Sequence, residues 1–126
     1  MIDIGSYFEE IRRVYATGQA TEHSYRPALQ NLFDSIAKGV KAINEPTGSI
    51  RVGRPDFVFV REAGKNTLLT VGHCEAKDID MSINPKEMNE FNKGQHKRYT
   101  EYFGSLIYTN GLDFHFYKKE IGRAHV

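Results

Sequence analysis

Two β-rich runs separated by a short turn constrain the fold of this chain more than any other feature. The runs "RPDFVFVRE" (54–62) and "NTLLTVGHCEAK" (66–77) are rich in β-branched and aromatic residues, and "AGKN" between them predicts a hairpin. Asp56 precedes the apolar part of the first run, and Glu75 and Lys77 end the second. A hairpin brings the start of one strand and the end of the next to the same edge, so we expect these charges to lie close together.

Turn geometry predicts the register of these charges. If the turn centres near residues 64–65, the numbers of opposite residues sum to about 129, which places Asp56 opposite residues 73–74. Side chains alternate between the faces of a strand, so Glu75 and Lys77 share a face. Two neighbouring carboxylates repel each other unless a cation neutralises them, and Mg²⁺ is a hard cation that carboxylates bind.

The rest of the chain alternates helical and β-type patterns. Apolar spacing predicts helices over residues 6–16, with Ser6 as N-cap, over about 24–38, and over about 85–103. In the third helix the spacing places Phe91 on the same stripe as Gln95 and Tyr99. The remaining strands are predicted in "GVKAINEP" (39–46), after which "TGSIRVG" (47–53) forms a turn and lead-in, and in "SLIYT" and "LDFHFYKK" around Asn110-Gly111. A hairpin followed by a helical crossover predicts a layered α/β (α+β) fold with a mixed sheet.

Length and composition limit the class of protein. The 126 residues predict one domain, and a formal charge of +1 gives no overall basic excess. Cys74 is the one cysteine, which excludes an internal disulfide and a cysteine-based zinc site and favours a cytoplasmic location. The sequence has neither a secretory signal nor an apolar stretch that could span a bilayer, so no membrane partner is expected.

The strand-end charges form a recognisable motif. Pro55-Asp56 followed about twenty residues later by Glu75-Ala76-Lys77 resembles the motif of PD-(D/E)xK nucleases. Further blocks occur in this order: "TEHSYRPALQNLF" (21–33), "NEP" (44–46), "GRPDF" (53–57), "GHCEAKDID" (72–80), "GQHKRY" (94–99) and "LIYTNGLDFHFYKK" (106–119). Together they resemble the N-terminal nuclease domain of fused restriction–modification enzymes of the type IIG and type ISP class.

The resemblance implies a restriction-endonuclease-like core, with a central mixed β-sheet flanked by helices, and a Mg²⁺-dependent DNA endonuclease activity in which Mn²⁺ can substitute. It implies that Asp56, Glu75 and the carbonyl of Ala76 bind metal and that Lys77 is catalytic. Glu22 matches an acidic residue that many such nucleases place on an early helix, where it completes the metal site. An acid favoured by the dipole at a helix start explains Glu22 equally well.

Gln95 and Tyr99 resemble the Q-x-x-x-Y element of nucleases related to recombination enzymes. Four residues apart on a helix, they share a face, and the resemblance implies that both hold the substrate phosphate. Tyr99 also fits a purely structural role in the core. Gln95 fits that role poorly, because a buried amide needs hydrogen-bond partners.

Basic residues around these blocks are candidates for contacts with the DNA backbone, although such runs also occur on solvated helix faces. They are Arg26, Arg54, Lys93, His96, Lys97 and Arg98. No base-reading element is evident, so we expect binding without sequence specificity. The resemblance implies helicase or methyltransferase regions, or a separately encoded subunit, as partners, and a homodimer is a further possibility.

Two other functions fit the same residues. A non-catalytic DNA-binding or assembly module with this fold would bind DNA without metal, and Asp56→Ala would leave its binding unchanged or stronger. A globular protein with a structural metal would gain thermal stability from Ca²⁺ but would have no affinity for DNA.

Overall fold

The computed structural model describes residues 3–44 and 52–119 of the chain, apart from the side chain of Glu22. Their secondary structure follows the predicted order of two helices, three strands, a helix and two strands. The elements are α1 (Ile4–Ala16), a 3-10 helix (Glu22–Tyr25), α2 (Arg26–Ile36), β1 (Val40–Asn44), β2 (Phe57–Glu62), β3 (Leu68–Ala76), a second 3-10 helix (Pro85–Glu87), α3 (Glu90–Tyr102), β4 (Ser105–Thr109) and β5 (Phe114–Lys118). Residues 45–46 of the predicted first strand and most of the predicted turn over 47–53 lie outside the described residues.

The five strands form one mixed sheet in the order β1-β2-β3-β4-β5. β3 and β4 are parallel, and every other neighbouring pair is antiparallel. A parallel pair needs a crossover connection, and α3 supplies it between β3 and β4. The predicted layered α+β fold with a mixed sheet flanked by helices is therefore confirmed.

The sheet separates two apolar clusters, because successive side chains of each strand point to opposite faces. On one face, α1 and α2 pack against residues such as Phe57, Cys74 and Ala76. On the other face, α3 packs through Tyr99 and Phe103 against residues of β4. Cys74 is a buried free thiol.

The starts of α1 and α2 differ from the predictions. Asp3, rather than Ser6, is the N-cap of α1, since its Oδ1 accepts a hydrogen bond of 2.7 Å from the Ser6 amide. Asp is as good an N-cap as Ser, and the pattern alone did not separate the two. The second predicted helix divides into the first 3-10 helix and α2, with Pro27 in the first turn of α2, where no backbone donor is required.

The third predicted helix is also shorter than expected. α3 begins after Asn89, whose side chain accepts a hydrogen bond of 2.8 Å from the Asn92 amide. Phe91, which the apolar spacing placed on the buried stripe, is 74% exposed. The buried stripe of α3 runs through His96 and Tyr99 instead, and Phe91 is turned away from it.

Asn110 organises the connection between β4 and β5. The sequence predicted a hairpin here, and Thr109 pairs with Phe114, so the loop contains residues 110–113. The Asn110 Oδ1 atom accepts hydrogen bonds from the amides of Leu112 and Asp113, at 3.0 and 2.8 Å. Its Nδ2 atom donates to the carbonyl of Met81 at 2.7 Å and thereby ties the loop to the segment before α3.

Tyr7 fixes α1 against the same loop. Its hydroxyl donates a buried hydrogen bond of 2.8 Å to the carbonyl of Gly111. The ring packs edge-on against Phe114 at a centroid distance of 6.1 Å. Among residues 3–44 and 52–119, none of the helices has the length and apolar character that crossing a bilayer requires.

We expect Tyr7→Phe to lower the free energy of unfolding by about 1–3 kcal/mol, because it leaves the buried Gly111 carbonyl without its donor. Urea denaturation followed by circular dichroism measures this change. Tyr15→Phe is the matched control, since Tyr15 lies on the same helix and is exposed. Equal losses in the two variants would contradict a structural role for the Tyr7 hydrogen bond.

Candidate active site

The β2–β3 ladder determines which residues meet at the edge of the sheet. Near the turn, Glu62 pairs with Leu68, but beyond a bulge at Phe59/Val60 the pairing shifts by one residue, so that Phe57 pairs with Cys74. Continuing that register by one position places Asp56 beside Glu75. The predicted partners at residues 73–74 are therefore wrong by one or two positions. The numbers of opposite residues sum to 130 next to the turn rather than to 129, and the bulge then inserts an extra residue in β3 that the turn geometry could not reveal.

Both carboxylate oxygens of Asp56 accept hydrogen bonds. The Ala76 amide donates to Oδ2 at 2.8 Å, and Nη2 of Arg26 donates to Oδ1 at 2.5 Å. Arg26 is only 5% exposed and faces Asp56 in this structure, and its predicted contact with the DNA backbone stays a prediction. A buried guanidinium needs a charged partner, and Asp56 provides one.

Lys77 lies at the centre of a second set of contacts. Its Nζ atom is 3.1 Å from Oε2 of Glu75, so the two side chains meet as expected, although Lys77 lies one residue beyond the end of β3. It donates to Oε1 of Gln95 at 2.6 Å and to Oδ1 of Asn92 at 3.4 Å. The sequence reasoning missed Asn92, although its position three residues before Gln95 on a helix places the two on one face.

Tyr99 lies beneath the site rather than on its surface. It is 2% exposed, and burial raises its pKa to about 12. Its side chain hydrogen-bonds with that of Gln95 and packs so closely against the backbone of Gly53 that a Cβ atom there would lie 2.7 Å from the tyrosine hydroxyl. In this structure Tyr99 thus contacts the Gln95 amide that accepts from Lys77, and its position favours the structural alternative over a direct phosphate contact.

Burial is the main cause of the raised pKa of Glu75. Burial and the neighbouring Asp56 carboxylate raise the pKa of Glu75 to about 7, while Lys77 opposes this shift. Among the described residues, its Oε1 atom is buried and has no hydrogen-bond partner. The hydroxyl of Tyr108, which pairs with Glu75 across β3 and β4, is likewise buried and without a partner there.

The donor set fits a hard divalent cation. Oε1 of Glu75, which has no hydrogen-bond partner among the described residues, and the carboxylate of Asp56 offer the oxygen ligands that Mg²⁺ prefers. Mg²⁺ usually retains several waters besides. Within the described parts of the chain, no cluster of three or more His, Cys, Asp or Glu side chains is arranged to hold a metal. The metal roles of Glu22, whose side chain lies outside the described residues, and of the Ala76 carbonyl stay predictions.

The remaining predicted DNA contacts divide into two groups. Arg54, Lys93, Lys97 and Arg98 are exposed, and the last three lie on α3, the helix that carries Gln95. His96 is 8% exposed and packs between Tyr108 and Tyr117, with Nε2 at 2.9 Å from the Tyr117 hydroxyl. This burial favours a structural role for His96, and its contact with DNA stays a prediction.

Comparison with known proteins finds a similar fold but no matching family. No protein-family model and no curated protein sequence matches the chain. Among solved structures, the chain resembles one from the cryo-electron microscopy structure of a DrdV–DNA complex, with a TM-score of 0.65 and 21% sequence identity. The match covers 95% of this chain and 86% of that one. The likeness confirms the predicted fold, a restriction-endonuclease-like core with a central mixed sheet flanked by helices.

The raised pKa of Glu75 predicts an unusual dependence of stability on pH in metal-free buffer. Its folded-state pKa of about 7 lies above the ordinary value of 4.5, so the folded protein holds this proton more tightly than the unfolded chain. The stabilisation is complete below about pH 4.5 and is lost as the pH rises to about 7. Between pH 5 and 8 we expect wild type to lose on the order of 2 kcal/mol relative to Glu75→Gln, which cannot titrate.

Urea denaturation in EDTA at several pH values tests this expectation. The difference between wild type and Glu75→Gln isolates this carboxyl group from all others that titrate over the range. Parallel stability curves for the two proteins would show that Glu75 titrates normally.

Proposed function

We propose that this protein is a Mg²⁺-dependent DNA endonuclease that hydrolyses phosphodiester bonds. The observation that carries the proposal is the convergence of Asp56, Glu75 and Lys77 at one edge of the sheet, with Nζ of Lys77 held between Glu75 and Gln95. Two carboxylates beside a lysine suit phosphodiester hydrolysis, since they bind the metal and the lysine acts on the attacking water.

Each residue has a proposed role. Asp56 and Glu75 would hold the metal, with the Ala76 carbonyl and Glu22 as further ligands. A bound Mg²⁺ would polarise the phosphodiester and stabilise the charge that develops on its oxygens. Lys77 would orient the attacking water as an ammonium group, or would accept its proton as a neutral amine. Because Lys77 donates to Gln95 in this structure, we assign Gln95 the additional role of positioning the lysine.

DNA is the proposed substrate. The similar solved structure comes from a DrdV–DNA complex. In addition, α3 carries exposed cations, and the same helix contacts Lys77 through Gln95. Such cations neutralise phosphates without reading the bases, so we propose binding without sequence specificity. A restriction–modification setting, a cytoplasmic location, and helicase or methyltransferase regions, a separate subunit or a second copy as partners are part of the same proposal.

One observation favours a non-catalytic DNA-binding or assembly module as the second candidate. Arg26 and Lys77 already balance the charges of Asp56 and Glu75 among the described residues, so the carboxylates do not require a metal for neutralisation. In a module of this kind, Asp56→Ala would leave DNA binding unchanged or would strengthen it.

We expect wild type to nick or linearise supercoiled plasmid with Mg²⁺ or Mn²⁺ and to lose this activity in EDTA. Asp56→Ala and Lys77→Ala should each lower the rate by about 10²–10³-fold, the range seen when a group that stabilises the transition state is removed. Agarose-gel electrophoresis over a time course measures the rates. Lys65→Ala, in the exposed β2–β3 turn, is the control and should cleave like wild type.

The outcomes separate the two candidates. Cleavage by wild type that both active-site variants retain would assign the activity to a contaminant. A folded wild type that binds duplex DNA but cleaves with neither metal would overturn the nuclease proposal and favour the binding module.

A triple variant tests the proposed DNA surface. Replacing Lys93, Lys97 and Arg98 by alanine should weaken duplex binding and reduce the slope of log K against log [salt] by roughly 2–3, because about three fewer counterions are released. Fluorescence anisotropy with a labelled duplex in EDTA at several salt concentrations measures this slope. The control replaces three exposed cations on β1, β2 and the turn, Lys41, Arg61 and Lys65, by alanine. Equal slopes in the two triple variants would place the DNA elsewhere.

A further inference from the structure

We propose that Arg26 is a counter-charge at the metal site, a fixed positive charge that offsets the negative charge of Asp56. This counter-charge would keep the metal affinity of the free protein low and couple metal binding to DNA binding. The inference rests on the proposed nuclease function and adds a mechanism for when the metal binds. It follows from the position of Arg26, from the charge balance around it and from the way Asp56 is held.

Arg26 occupies a place that a cationic side chain rarely takes. It is the first residue of α2 and is 5% exposed, and its Nη2 atom lies 2.5 Å from Oδ1 of Asp56. Removing a guanidinium from water costs several kcal/mol, and a buried ion pair is weak evidence for a stabilising role. The burial of Arg26 beside Asp56 therefore points to a role besides stability.

The charges at the site balance among the described residues. Asp56 and an ionised Glu75 contribute two negative charges, and Arg26 and Lys77 contribute two positive ones. A divalent cation that binds Asp56 meets the guanidinium of Arg26 on the same carboxylate, and Arg26 repels it from close range. Because the side chains of both ion pairs are largely buried, water screens that repulsion less than it would on the surface.

A DNA phosphate changes this balance. Each phosphodiester carries one negative charge, so a backbone group placed at the site offsets the repulsion from Arg26 and offers oxygen ligands to the metal. Metal affinity should then rise when DNA is bound, and by linkage DNA affinity should rise by the same factor when metal is bound. The free protein would carry little metal, and the site would be completed on the substrate.

The contact that positions Asp56 is separate from its ion pair with Arg26. The Ala76 amide holds Oδ2 of Asp56 through a hydrogen bond of 2.8 Å that does not involve Arg26. Loss of the guanidinium therefore opens Oδ1 to a metal, while the backbone still anchors the carboxylate. If Arg26 instead served to orient Asp56, its removal would weaken metal binding.

Calorimetric titration of the full chain with Ca²⁺ tests the proposal with a readout other than activity. Arg26→Met, which keeps an unbranched side chain but removes the charge, should raise the Ca²⁺ affinity of the free protein by about tenfold. Arg26→Lys keeps the charge and should stay within about twofold of wild type. Arg61→Met, the same substitution at an exposed position near the other end of β2, is the matched control. Circular dichroism establishes that each variant is folded.

A second titration uses wild type alone and does not depend on the folding of any variant. The Ca²⁺ affinity is measured for the free protein and for the protein saturated with a short DNA duplex, whose integrity is checked by electrophoresis. DNA should raise the wild-type affinity by about tenfold and should raise that of Arg26→Met by less.

Three results would overturn the proposal. These are a folded Arg26→Met variant whose Ca²⁺ affinity is unchanged or lower, an equal gain in Arg26→Lys, and a wild-type affinity that DNA does not alter. If wild type binds no DNA, the proposed function and the coupling to DNA fail together, and a tenfold gain in Arg26→Met would then establish the counter-charge alone. If wild type cleaves DNA but Arg26→Met leaves Ca²⁺ affinity unchanged, only the counter-charge is refuted.

Discussion

The hydrogen bond from the Ala76 amide to Asp56 is the interaction on which the candidate site depends. It joins the residue before β2 to the last residue of β3, and so fixes a carboxylate where two strands meet at one edge of the sheet. Arg26 reaches the same carboxylate from α2, while Lys77 and Gln95 connect the neighbouring Glu75 to α3. The contacts at this edge therefore involve elements packed on both faces of the sheet.

The buried charges at this edge compensate one another within the chain. Arg26 pairs with Asp56, and Lys77 pairs with Glu75, each within hydrogen-bond distance. The charges of the two acids are therefore compensated without a metal ion. The Oε1 atom of Glu75 is buried and has no hydrogen-bond partner among the described residues. In the proposed function this oxygen is a metal ligand, and the cations beside the two acids would keep it a weak one until the negative charge of a phosphate arrives.

Sequence reasoning predicted what depends on periodicity and failed where it assumed exposure. Alternation along β3 and a short turn were enough to predict that Asp56, Glu75 and Lys77 converge, because those rules are local. The patterns could not show that Arg26 and His96 are buried, since a charged or polar residue is exposed by default and only its tertiary partners reveal otherwise. The prediction that Phe91 is buried was wrong for a related reason. Only the packing of α3 on the sheet shows that its buried stripe contains His96 and Tyr99.

The bulge between Phe59 and Val60 has a consequence for where the chain tolerates changes in length. Val71 is the extra residue in β3 and has no opposite residue in β2. Deleting Val71 would remove the bulge while Phe57 still pairs with Cys74, whereas a residue added between Val71 and Glu75 would reverse the face of every side chain beyond it and turn the acid toward the apolar layer that holds Cys74. Residues 63–67, which connect the strands outside the ladder, carry no such restriction. A peptide tag or a fluorescent label inserted there would lengthen the hairpin while leaving the carboxylates in place.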